Sequence, residues 1–187
     1  VNHSKRSMII DLQKLEEGIL QLSKGYTSFL MEACAVCLDH QNHKSGASIL
    51  VDGNDPFEAE LKWAFEVDDE LKNSYGDMQE STEYGATAIA LMLAEEKHGF
   101  SSAERMSKGL GFDYFLKKDG DGDETNIFDA GVRLEISGIL EETDNNTVER
   151  RVKSKIDQLI ISDDSNLEGH VCVTEFGRPR TKYIEQQ

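Results

Sequence analysis

Only two prolines interrupt the 187 residues, so long disordered linkers are not expected. Cysteine is nearly as sparse: three thiols, an odd number, offer no disulfide framework, which fits a reducing, cytoplasmic setting. No apolar run approaches the roughly 20 residues that a membrane-spanning helix needs. The polar residues 1–7 lack the apolar core of a signal peptide. Positive charge is also short, with 20 Lys and Arg against 36 Asp and Glu, a formal net charge of −16. That balance disfavours a broadly basic nucleic-acid-binding face and fits solubility, a homodimer or a basic protein partner. No internal repeat and no low-complexity tract is present.

What the chain does contain suits one domain, or a domain with a helical appendage. A hydrophobic fraction of 38% and a charged fraction of 30% allow a substantial core at this length. Residues 8–24 place Ile9, Leu12, Leu15, Ile19, Leu20 and Leu22 at roughly helical spacing, with Gly25 as a stop signal. A second helix is expected over 28–40. Strands are expected over 47–52 and 57–67, joined by the turn Gly53-Asn54-Asp55-Pro56. In the second strand Phe57, Ala59, Leu61, Trp63 and Phe65 alternate with Glu58, Glu60, Lys62, Ala64 and Glu66. Asp68 and Asp69 suit a helix start, where carboxylates meet free amides. A longer helix follows over 77–97, its stripe of Ala86, Ile89, Ala90 and Leu93 suited to packing on a sheet. Strands over 103–108, 112–117 and 132–140, a helix over 146–161 and a strand over 170–176 complete the pattern, with Gly177-Arg178-Pro179 ending the last. The expected fold is α/β, a mixed central sheet flanked by helices over 77–187. Residues 1–76 form an N-terminal extension of helices and a hairpin packed on that core.

The strands at 112–117 and 132–140 read as one antiparallel hairpin around an acidic turn. A period of two puts Asp113 opposite Phe112 and Tyr114, and Glu135 opposite Leu134 and Ile136, so both carboxylates can share one sheet face. Each interrupts an apolar stretch, a costly place for an acid without a partner or a task. The plain alternative is cross-strand pairing with Arg133 or Lys117.

From residue 77 onward the order is helix, three strands, helix, strand, with an acid on the first helix and on the second and third strands. This order resembles the PD-(D/E)XK nuclease superfamily over 77–176. Glu83 of Ser81-Thr82-Glu83-Tyr84-Gly85 matches the helix acid, with Glu80 a poorer match. Asp113 of Gly111-Phe112-Asp113-Tyr114 matches the strand acid. Glu135 of Leu134-Glu135-Ile136-Ser137 opens the acid-any-lysine element. The resemblance implies a restriction-endonuclease-like core and a nucleic-acid phosphodiester substrate, with settings in restriction, repair, recombination and bacterial defence. It also implies Mg²⁺ or Mn²⁺ held by Glu83, Asp113 and Glu135. Ser137 stands where the family has lysine, and Lys108, Lys153, Lys155, Arg150 and Arg151 are the candidate replacements. Without such a cation the chain reads instead as a non-catalytic acidic scaffold that keeps the fold and binds a basic partner.

Four further patterns carry plainer explanations. Cys34, Cys37, His40 and His43 recur every third residue, but one continuous helix turns such residues to different sides, so buried thiols and surface imidazoles are expected. Asp119-Gly120-Asp121-Gly122-Asp123-Glu124 lacks the sixth-place Gly and twelfth-place Glu of a calcium loop and reads as an acidic turn. Gly109 and Gly111 suit a tight turn or bulge, and the basic run 150–155 reads as a solvated helix face.

Overall fold

The computed structural model describes residues 8–107, 109–120, 131–161 and 167–186. Its strands are β1 (Met8–Asp11), β2 (Ala47–Asp52), β3 (Phe57–Lys62), β4 (Ser102–Arg105), β5 (Tyr114–Lys117), β6 (Val132–Ile139), β7 (Gly169–Glu175) and β8 (Arg180–Gln186). Its α-helices are α1 (Lys24–His40), α2 (Asp69–Ser74), α3 (Met78–Glu96) and α4 (Val148–Ile161), with a 3-10 helix over Leu12–Glu17. The strands form one mixed sheet of eight in the order β1-β3-β2-β8-β7-β6-β5-β4.

The expected hairpin is present: β5 and β6 pair antiparallel, Tyr114 opposite Leu134. β7 lies parallel to β6 and is reached through α4. α3 packs on one face of β6 and β7, with α1 outside it, around Leu30, Leu38, Ile89, Leu93, Leu134, Ile136 and Phe176. α4 covers the opposite face, where Val148, Val152 and Leu159 meet Ile139, Val171 and Val173. Glycines set how closely α3 approaches. A Cβ on Gly138 would lie 2.3 Å from the Thr82 carbonyl oxygen, and one on Gly85 would lie 3.0 Å from Cys34 Cα.

The helix expected over 8–24 does not form. Met8–Asp11 pairs instead with β3 as a parallel strand, Ile10 opposite Leu61. Asp11 then caps the 3-10 helix through the Gln13 amide, and Gly18, at φ 82°, ends it. The apolar spacing was real, because Leu12, Leu15, Ile19 and Leu20 are all buried. They reach the core through a tight turn and a chain reversal rather than as one helical stripe, and sheet pairing overrides a weak helical pattern.

β8 is the second departure. Gly177-Arg178-Pro179 makes a hairpin turn rather than a stop. The buried Glu175 carboxylate accepts hydrogen bonds from the amides of Gly177 (2.6 Å) and Arg178 (2.9 Å). β8 then pairs antiparallel with β7 and parallel with β2. The N-terminal hairpin is thus not only packed on residues 77–187 but continues the same sheet. On β3, Ala59 and Leu61 are buried while Glu58 is exposed, as the alternation implied. The strand ends at Lys62, short of the expected Val67.

Phe112 also differs from expectation. The strand begins at Tyr114, and Phe112 packs with the cluster under α4, whereas Tyr114 and Leu116 belong to the cluster under α3. Cys34 and Cys37 are buried along α1, burial raising both thiol pKa values, the latter to about 12. His40 is exposed, and His43 Nε2 lies 3.0 Å from the Gly177 carbonyl oxygen. The turn residues 121–130 lie outside the described residues. Among the described residues no helix is long and apolar enough to cross a membrane.

Candidate functional site

The site arises because β5 is shorter than β6. β5 stops at Tyr114, while β6 runs on to Ile139, so the amides of Ile136 and Gly138 face a flank with no strand. Unpaired backbone donors at such an edge demand acceptors. Two acids supply them. Asp113 Oδ2 accepts from the Ile136 amide at 2.8 Å, and Glu83 Oε2, arriving from α3, accepts from the Gly138 amide at 2.9 Å. The close approach of Thr82 to Gly138 carries Glu83 to this edge.

Glu135 is next to this edge but points toward α4, as a strand period of two requires. It is only 6% exposed. Lys155, from the second half of α4, places Nζ 2.5 Å from Glu135 Oε1. One turn earlier on the same helix, Arg151 donates to Ser137 Oγ (3.0 Å) and to Asn146 Oδ1 (2.7 Å). Ser137 Oγ in turn lies 3.4 Å from Glu83 Oε1. The order along this edge is therefore Lys155–Glu135, Asp113–Ile136, Arg151–Ser137 and Glu83–Gly138, alternating cation and anion.

Electrostatics follow from this crowding. Burial, and then the neighbouring Asp113 carboxylate, push the Glu135 pKa up to about 7, against the opposing pull of Lys155. The Glu83 pKa is also raised, local desolvation of its carboxyl outweighing the Gly138 amide, Lys155 and Arg151, although the residue as a whole is exposed. Carboxylates shifted in this way occur both at functional sites and in structural ion-pair networks.

Two cavities meet here. One, of about 310 Å³, is lined by Tyr26, Tyr84, Tyr114, Glu83, Arg105 and Arg151 among others. Its neighbour, of about 460 Å³, is lined by Gly109, Gly111, Phe112, Glu135 and Gln158. Arg105, Asp113 and Lys155 border both.

Glu83 lines the first cavity, Glu135 the second and Asp113 both, and the three do not form the expected three-ligand cage. Among the described residues no three His, Cys, Asp or Glu side chains are grouped so as to hold one ion. Glu83 is engaged by the Gly138 amide and Ser137, Asp113 by the Ile136 amide and Glu135 by Lys155, and of the three it is Asp113 and Glu135 that adjoin. A hard ion such as Mg²⁺ is commonly held by one or two carboxylates and keeps several waters, so this donor set fits. Lys108 lies outside the described residues. Arg133 reaches toward the end of α4 and the chain after it. Its guanidinium donates to the carbonyls of Leu159 (3.2 Å) and Leu167 (2.9 Å).

The reading of 150–155 as a wholly solvated face needs correction: Arg150 and Lys153 are exposed, but Arg151 and Lys155 turn inward. Their spacing of four on a helix, against Glu135 and Ser137 two apart on a strand, was the available signal. Arg105, Tyr26 and Tyr84 had no such signal, since they come from distant elements. Comparison of the chain with protein-family models, curated proteins and solved structures found no match.

Proposed function

We propose that the protein is a metal-dependent hydrolase of nucleic-acid phosphodiesters, built on a PD-(D/E)XK-like core spanning α3 to β7. The observation that carries this reading is Lys155. Its ammonium bonds Glu135 beside Asp113 and so supplies, from α4, the cation that Ser137 lacks. The order α3, three antiparallel strands, α4 and a parallel strand supports it.

Asp113 and Glu135 would hold Mg²⁺ or Mn²⁺, an ion that lowers the pKa of bound water and offsets charge on a phosphate. The chain's own groups prepare the site. The Ile136 amide fixes the Asp113 carboxylate, and Lys155 fixes that of Glu135. Arg105 and Arg151 stand at the cleft to meet phosphate oxygens, and Glu83 holds Ser137 and the end of β6 in place.

Labelled DNA and RNA, single-stranded and duplex, incubated with Mg²⁺ or Mn²⁺ should be cut. Asp113→Asn and Lys155→Met should each slow cutting by about a hundredfold or more. If the wild type binds Mn²⁺ yet leaves every substrate intact, the acidic scaffold reading replaces this one.

A further inference from the structure

The cavity beside Asp113 is lined by both aromatic rings and cations. Tyr26 and Tyr84, both half-buried, line it, and Tyr114 forms its floor, its hydroxyl hydrogen-bonded to that of Tyr26. Arg105 lies over the Tyr26 ring, 5.5 Å from its centroid. Phe29, outside the cavity lining, meets Tyr84 edge-on at 4.8 Å and is 37% exposed. Arg151, already oriented by Ser137 and Asn146, and Lys155 line the cavity as well. In a chain of net charge −16 three cations line this one cavity, and two of them, Arg105 and Lys155, also border its neighbour.

Aromatic faces next to guanidinium and ammonium groups match the two halves of a nucleotide, the base and its phosphate. About 310 Å³ is near the lower limit for a small-molecule pocket, room for one such unit and not for a base pair. The second cavity continues past Asp113 and Lys155 toward Gln158, giving a linear ligand a way onward. We infer that the substrate is a single-stranded or frayed nucleic acid, which seats one unpaired base against Tyr26 and Tyr84 and its phosphate against Arg105, Arg151 and Lys155. This rests on the phosphodiester reading above and narrows it. An intact duplex keeps its bases stacked inside and would have to be opened first.

The test separates binding from cutting. Anisotropy of a labelled oligothymidylate, its duplex with oligodeoxyadenylate and an abasic strand of equal length is followed with the intact Asp113→Asn protein. The single strand should bind at least tenfold tighter than the duplex or the abasic strand. Tyr84→Ala added to this background should weaken the single strand by about ten- to a hundredfold, in a protein that circular dichroism shows still folded at the assay temperature. Arg105→Ala should lower the slope of log affinity against log salt by about one. Equal binding of duplex and single strand, or Tyr84→Ala without effect, overturns the inference. So does binding of oligolysine in place of any nucleic acid. Wild-type cutting of duplex in preference to single strands would sink the inference and leave the hydrolase reading standing. Tight single-strand binding without cutting would do the reverse.

Discussion

Glu135 keeps its proton to an unusual pH because its carboxyl is buried under α4 and lies beside the Asp113 carboxylate. In the folded chain its pKa is about 7, against an ordinary 4.5. The folded state therefore binds more protons than the unfolded chain between those values. Stability should fall as pH rises through that window and level off above it. Melting curves of the wild type and of Glu135→Gln, taken across the window, check the sign: the slope should flatten in the variant. Divalent metal competes with the same proton, so the rise in Tm caused by Mn²⁺ should grow from pH 6 to pH 8. Lys155→Met, leaving Glu135 without its cation, should cost about 1–3 kcal/mol in urea unfolding at pH 8 and less at pH 5. The acids were legible in the sequence because each breaks an apolar alternation. Which cation answered them was not, since that depends on how α4 is rotated over β6.

At the scale of elements, α3 and β6 touch through glycine. Gly138 has no room for a side chain, and its amide is also the donor that holds Glu83. Gly138→Ala should cost about 1–3 kcal/mol in urea unfolding by pushing α3 away. It should also weaken cutting, because Glu83 and Ser137 would shift together. Elements with a clean period were readable, including β3, β6, α3 and α4. Two were not. β1 carries too few residues for a period to show, and it exists because β3 offers an edge to pair with. β8 was hidden behind a glycine-proline turn that Glu175 braces from inside, a contact no local pattern reveals. The alternation of Thr181, Tyr183 and Glu185 with Lys182 and Ile184 was the signal available.

Across the whole molecule, β8 joins what looked like an extension to what looked like a core. Leu50, Val51 and Asp52 of the N-terminal hairpin pair with Arg180, Thr181 and Lys182 near the other end of the chain. α1 and α3 share one apolar cluster over the sheet. Unfolding should accordingly be a single cooperative event. The sole tryptophan, Trp63, follows β3 and is buried, so it reports on the N-terminal part alone. Its fluorescence and the far-UV circular dichroism of the whole chain should lose structure at the same urea concentration. Two separated midpoints would show that residues 1–76 unfold independently.

The carboxylates that line the vacated flank of β6 have a consequence apart from chemistry. By accepting from Ile136 and Gly138, Asp113 and Glu83 close a stretch of strand that would otherwise offer its amides to another chain. Removing both side chains leaves an apolar strand with free donors, a template for edge-to-edge aggregation. The double alanine variant should therefore lose solubility during expression, whereas Asn and Gln, which still accept from an amide, should keep the protein monodisperse.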